Sequence, residues 1–249
     1  MEKILESLTV GDIGTNCWLY SPEDGLYNGK RSCYVIDPGD EAGIIISRLK
    51  ELQWFPRYIL LTHGHFDHLA ALPELVEEFC NDRISAGSEA PAGSQPSSGN
   101  DALLQIGIHR LDALYLGANA LDIHRESMIA VGGPPSYVEA IWKPLPEADL
   151  LFEEGDKAGS LAVLHLPGHS QGSAAFYDEK QGVLFSGDTL FQGNWGRTDL
   201  PGGNEAQLYQ SLKRLLSMKQ EIAVCPGHGP MTSIRDEQRI LRYLRQENF

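Results

Sequence analysis

No apolar run in this 249-residue chain approaches the roughly 20 residues that cross a bilayer, so no membrane partner is expected. Cysteine is scarce: Cys17, Cys33, Cys80 and Cys225 are scattered with no CxxC pair, which suits reduced, mostly buried thiols better than a disulfide framework. Positive charge is scarce too. Twenty Lys and Arg face 34 Asp and Glu, the formal net charge is −14, and no Lys/Arg run is long enough to grip a phosphate backbone, so nucleic acid is not an expected partner. The opening "MEKILESLTVGDIG" has no basic region followed by an apolar block; no signal peptide is expected there, and the cytoplasm is the expected address. The apolar fraction is 42%, ordinary for a globular protein, and sufficient for one large domain or two small ones.

Strand-like and helix-like segments alternate. "TNCWLYS" and "SCYVIDPG" are apolar, β-branched or aromatic runs separated by the turn-rich "PEDGLYNGKR". "EAGIIISRLKELQ" has helical spacing at Ile45, Leu49 and Leu52, "RYILLT" suits a buried strand, and "LAALPELVEEFC" returns to helical spacing. Residues 87–100 are rich in Gly, Ser and Pro and read as a linker. "DALLQIGIHRLDALYLGANAL" follows, with Leu104, Ile108, Leu111, Leu114 and Tyr115 on one predicted helical face. From residue 150 short strands resume, with a hairpin turning at "DEKQG", and helices are expected in "EAQLYQSLKRLLSM" and "IRDEQRILRYLRQE". Strand, helix, strand, helix predicts a layered α/β arrangement.

Polar clusters sit where these strands end. "LLTHGHFDHLAAL" places His63, His65, Asp67 and His68 within six positions after an apolar run. Alternate side chains share a face in extended backbone, which sends His63 and His65 one way, and a turn from Phe66 can swing Asp67 and His68 into the same volume. Imidazole nitrogen and carboxylate oxygen are the donors that borderline cations such as zinc take. Later strand ends add His169 in "PGHS", Asp188 in "SGD" and His228 in "PGHG". Seven donors are one too few for two separate four-coordinate sites, unless a carboxylate is shared; Asp188 is the natural bridge.

In this order, "THGHFDH", "PGHS", "SGDTLF" and "PGHGP" resemble the metallo-β-lactamase-fold hydrolases. "GTNCWLY", "IDPGD" and "WGRTDLPGG" are similar to the glyoxalase II-like (hydroxyacylglutathione hydrolase-like) branch. The resemblance covers residues 1 to about 86 and about 148 to 249. It implies a four-layer αββα sandwich in a single domain, with two divalent metal ions, zinc foremost and iron or manganese as alternatives, at one edge. His63, His65 and His169 would hold the first metal, and Asp67, His68 and His228 the second, with Asp188 bridging. Asp67 and Asp188 would serve catalysis, and Arg197 in "WGRTD" would approach the substrate's anionic end or pair with Asp199. Asp37 in "IDPG" is expected to orient a metal-side loop. His109 and His124 are expected on the surface.

Two departures fall where a substrate would sit. The chain after His228 has room for one helix, not for the helical region with which glyoxalase II contacts glutathione. The stretch between His68 and His169 is longer than in short members of the group, and the surplus, about 87–147, is expected to form a lid or packing segment.

The implied reaction is attack on an acyl thioester by a hydroxide shared between the metals. A thiolate, from a parent thiol of pKa about 8.5, leaves without obligatory protonation. The serine of "HLPGHSQGS" lacks the G-x-S-x-G elbow of a nucleophilic serine. Competing expectations are a lactonase, which benefits from a proton donor such as a positioned Tyr, and a persulfide dioxygenase holding one iron through His63, His169 and Asp188. A metal-binding sensor or interaction module is the non-enzymatic reading.

Overall fold

The computed structural model describes residues 4–22, 26–27, 30–85 and 104–240. The described strands form two sheets. The first contains β1 (Leu5–Val10), β2 (Thr15–Tyr20), β3 (Leu26–Tyr27), β4 (Lys30–Ile36), β5 (Trp54–Leu60), β6 (Gln105–His109) and β7 (Leu150–Phe152). Its order is β1-β2-β4-β5-β6-β7, with β3 paired to the start of β4, and β4 to β7 run parallel. The second contains β8 (Lys157–Ala158), β9 (Leu161–His165), β10 (Ala174–Asp178), β11 (Val183–Gly187), β12 (Ala223–Pro226) and β13 (Thr232–Ser233), in the reverse of chain order. Only β11 and β12 are parallel there. Helices are α1 (Ala42–Leu52), α2 (Leu72–Ser85), α3 (Leu121–Ala130), α4 (Pro135–Ile141) and α5 (Glu205–Leu216).

The period of two in each strand sorts side chains into layers. Trp18, Tyr20, Tyr34, Ile36 and Leu60 point from the first sheet at Val163, Phe176, Phe185 and Cys225 of the second, and this is the central core. Their neighbours Cys17, Leu19, Cys33, Val35 and Ile59 point outward and meet Ile45 and Leu49 of α1 and Leu72, Leu75 and Phe79 of α2. On the other side, Ala175, Leu184 and Val224 pack on Leu208, Leu212 and Leu215 of α5. Helix, sheet, sheet, helix is the layering expected from the sequence. Strands buried on both faces carry no polar alternation, which is why "TNCWLY" and "VLFSG" read as continuous apolar runs.

The helix expected across residues 101–121 is not found among the described residues 104–120. The segment enters the first sheet as β6, paired in parallel with Tyr58–Leu60, then makes a 3₁₀ turn over Arg110–Tyr115. Ile106 and Ile108 are buried on one face of the strand, whereas Leu111 and Leu114 of the supposed helical face stand 43% and 54% exposed. Gly107 decides between the two: a helix interior penalises glycine by about 1 kcal/mol. In the sheet a Cβ at this position would come within 2.4 Å of the Phe152 ring. The linker of residues 87–100 lies outside the described residues, as does the second half (241–247) of the C-terminal helix expected over "IRDEQRILRYLRQE"; in the described half, 234–237 form a turn and helix begins at 238.

A buried polar bond joins the two sheets through the central core. The Tyr20 hydroxyl donates to Asp178 Oδ2 at 2.9 Å, while Asp178 Oδ1 accepts from the amides of Lys180 and Gln181 in the β10–β11 turn. Tyr20→Phe removes the donor and leaves a buried carboxylate oxygen unpaired, which predicts a loss of about 1–3 kcal/mol in chemical denaturation. An unchanged midpoint and slope would show that the bond adds nothing to the packing of the rings around it.

Candidate metal centre

All seven candidate donors stand at the C-terminal ends of strands, at one edge of the sandwich. His63 and His65 follow β5, Asp67 and His68 lie in the 3₁₀ turn Phe66–His68, His169 follows β9, Asp188 follows β11 and His228 follows β12. They form overlapping groups whose donor atoms lie within 4.8 Å of one another: His63, His65 and His169; His63, His68 and Asp188; Asp67, His68 and His228.

The hydrogen bonds behind the rings determine which nitrogens are bare. The Thr62 hydroxyl spends its one hydrogen on Asp37 Oδ2 at 2.7 Å, so His63 Nδ1, 3.1 Å away, is the donor to Thr62 Oγ1. His169 Nδ1 donates to the carbonyl oxygen of Arg197 at 2.7 Å. In the neutral rings both Nε2 atoms then carry lone pairs, and they face each other across 3.2 Å, with His65 Nδ1 2.8 Å from His169 Nε2. A single proton can satisfy one of these pairs; a cation can accept all three. Nitrogens about 2.0–2.1 Å from a tetrahedral ion stand about 3.3 Å apart, close to the His63–His169 spacing. Burial and the neighbouring imidazoles keep His63 and His65 well below the ordinary histidine pKa, so their lone pairs stay free.

The other half is acidic. Asp67 Oδ2 lies 3.4 Å from His68 Nε2 and 3.3 Å from His228 Nε2. Asp188 Oδ1 is 3.4 Å from His68 Nε2, while its Oδ2 is 3.5 Å from His228 Nε2 and 3.6 Å from His169 Nε2. Asp188 therefore reaches into both halves with its two oxygens. Burial works against charge on His68, yet Asp67, Asp188 and Asp37 carry it up to about 10. Burial would raise the Asp67 carboxyl, but His68 and His228 hold it well below the usual range. His68 Nε2 and Asp188 Oδ1, both turned into the cluster, are buried without a hydrogen-bond partner. Orphaned polar atoms of this kind are costly. The residues present fit two cations sharing Asp188.

Motif residues without donor roles hold the loops. Asn16 Nδ2 donates to the carbonyl oxygens of Pro226 and Gly229, Trp18 Nε1 donates to Pro226, and the Asn16 amide donates to Gly227. The "GTNCWLY" strand thus clamps the turn that carries His228. Thr15 Oγ1 donates to Asp67 Oδ2 at 3.0 Å. Gly227 is needed because a Cβ there would lie 2.2 Å from Asp188 Oδ1. Asp37 accepts from the Thr62 amide and hydroxyl and lies 3.0 Å from His68 Nδ1, which orients that ring.

Sequence reasoning missed Asp112. Its buried carboxylate accepts from the Gly64 amide at 3.0 Å and the Ser170 hydroxyl at 2.6 Å through Oδ2, and from the Gly172 amide at 2.6 Å through Oδ1. It joins the His63–His65 loop to the His169 loop. The available signal was a charged residue in the otherwise apolar "LDALYL". His109 and His124, expected on the surface, are both buried. His109 stacks on His165, and His124 Nε2 donates to the Tyr115 carbonyl at 2.9 Å, its pKa lowered by burial to about 4. Arg197 makes two 2.6 Å bonds to Asp199.

A cleft of about 190 Å³ opens above the donors. Its floor includes Asp67, His169, Asp188 and His228, and its walls come from the β1–β2 turn, the loop after β4, α3, α4 and the segment with Arg197 and Leu200.

Residues 10–228 match the family described as Lactamase_B, the metallo-beta-lactamase superfamily, and the chain belongs to it. It is 32% identical to probable metallo-hydrolase YqgX of Bacillus subtilis (strain 168), over 93% of this chain and 92% of that protein. It is 29% identical to hydroxyacylglutathione hydrolase GloC of Haemophilus influenzae, over 98% and 99%. Among solved structures, TTHA1623 in a di-iron-bound form is 34% identical with a TM-score of 0.70, covering 94% of this chain and 97% of that one.

Asp112→Asn keeps the shape but replaces an acceptor oxygen with a donor, so one of the two loops loses its tie. Metal affinity, read by competition with a chromogenic chelator, should fall about 10–100-fold, as for other groups that orient ligands. Wild-type affinity in the variant would reduce Asp112 to a packing role.

Proposed function

We propose that the protein is a dinuclear metal-dependent hydrolase of acyl thioesters, of glyoxalase II type. The observation that carries the reading is the pair of donor clusters joined through Asp188 on the floor of a cleft. His63, His65 and His169 would hold one ion, and Asp67, His68 and His228 the other. Nitrogen and oxygen donors suit zinc, and also iron or manganese; the di-iron form of TTHA1623 is in keeping with iron on such donors. Bound there, the ions would supply Lewis acidity and an acidified water.

The chain's own part is positioning. In the reaction water oxygen joins the acyl carbon, the carbon–sulfur bond breaks with its electron pair on sulfur, and an acid and a thiol result. Asp67 is kept ionised by its histidine neighbours and oriented by the Thr15 hydroxyl. Ser170 is fully buried and does not line the cleft, so it is out of a substrate's reach as a nucleophile; its hydroxyl donates to Asp112. A thiolate needs no dedicated acid, in keeping with the relation to GloC. One observation favours a lactonase as the second reading: Tyr137 lines the cleft, where a phenol can protonate a departing alkoxide.

Metal analysis with a panel of matched thioesters, oxygen esters and lactones tests both. Thioesters should be cleaved fastest, and Asp188→Ala should abolish turnover and lower metal content more than loss of any single terminal histidine. Retention of both metals and a near-normal rate in Asp188→Ala would remove the dinuclear reading. Lactones outrunning thioesters, with that rate lost in Tyr137→Phe, would install the second reading in its place.

A further inference from the structure

The cleft walls carry a chemical preference of their own. Ile13, Val131 and Ile141 line it from three different elements and stand 56%, 39% and 41% exposed. An apolar rim left open to water at a site mouth marks where an apolar part of a ligand is covered. Apart from Arg197, which is paired with Asp199, the charged side chains on the same walls are acidic. Asp12, Asp40 and Tyr137 all line the cleft, and burial and then these two carboxylates push the Tyr137 phenol above the ordinary value. No lysine is among the described lining residues, and the one arginine among them, Arg197, makes two hydrogen bonds to Asp199. Asp67 and Asp188 would face the bound ions on the floor, whereas Asp12 and Asp40 have no cationic side chain opposite them among the described lining residues.

We infer that the cleft takes thioesters with an apolar acyl group and an uncharged or cationic thiol arm, and rejects carriers bearing carboxylates or phosphates, such as glutathione and coenzyme A. The inference rests on the thioester reading and specifies its substrate class. Ile13, Val131 and Ile141 receive the apolar group, while Asp12 and Asp40 raise the local negative potential through which an anionic arm must pass. The paired Arg197 offers it little compensation.

Two measurements on the metal-loaded protein separate this inference from the reading beneath it. Binding is measured by calorimetry with three non-hydrolysable thioethers carrying the same hexyl group: on N-acetylcysteamine, on glutathione and on coenzyme A. Turnover is measured with the matching hexanoyl thioesters. The neutral thioether should bind tightest, and its advantage should shrink as salt is raised. Asp12→Asn with Asp40→Asn should narrow the gap between the neutral and anionic carriers by about tenfold. Ile13→Ser with Ile141→Ser, both at exposed positions, should erase the preference for hexyl over methyl. Equal or tighter binding of the anionic carriers, with a ratio unmoved in the aspartate variant, overturns the inference. Binding in the expected order without turnover of any thioester supports the inference about the walls and refutes the thioester reading alone.

Discussion

His63 and His169 aim bare Nε2 lone pairs at each other across 3.2 Å, and the protein has to hold them there. Neither ring can turn away. His63 is fixed from behind by Thr62 and Asp37 on the first sheet, and His169 by the Arg197 carbonyl on a loop of the second. The two sheets are in turn fixed by the ring packing of Trp18, Tyr20 and Phe185 between them. Such an arrangement is unfavourable until a cation enters, so it persists only because the surrounding structure over-determines it. The rigid sandwich is therefore the condition for the site, and the site's unsatisfied atoms define what it binds.

Carboxylates set the charge balance of this edge. Asp67 and Asp188 face the donors directly, Asp37 stands behind His68, and Asp112 behind the loops of His63 and His169. Four carboxylates match the formal charge of two divalent ions. Asp112 shows how the buried ones are retained: burial raises its carboxyl, but three donors, the Ser170 hydroxyl and the Gly172 and Gly64 amides, pull it back toward the ionised form. The same three bonds tie loops that are over 100 residues apart in sequence, so one group serves both electrostatics and geometry.

The clustering of the seven candidate donors was legible because each is local: His63, His65, Asp67, His68, His169, Asp188 and His228 all lie in the loop or turn that follows an apolar run. The layers were legible for a similar reason: Trp18 and Tyr20 against Cys17 and Leu19 is a period-two pattern within one strand. Asp112 was not, because its partners are backbone amides of Gly64 and Gly172, which leave no trace in side-chain pattern. β6 was misread for a different reason. Leu104, Ile108 and Leu111 satisfy helical spacing as well as Ile106 and Ile108 satisfy a strand, and only the empty slot beside β5, filled at Gly107, selects between them. His109 and His124 were placed outside because nothing in their neighbours predicts that a stacked ring or a carbonyl waits for them.

The separation of the floor from the wall follows from topology. β5, β6 and β7 are parallel, so the chain leaves β5 and β6 at the same edge, and the metal loop and the crossover from β6 to β7 start side by side. A crossover between parallel neighbours must travel the length of the sheet and tolerates lengthening on the way. Here it contains α3 and α4, and both line the cleft above the donors. Changes in its length or composition alter what the cleft admits without touching the strand ends that carry the seven donors. The exception is Asp112, at the root of the same crossover, where a change would reach both the wall and the floor.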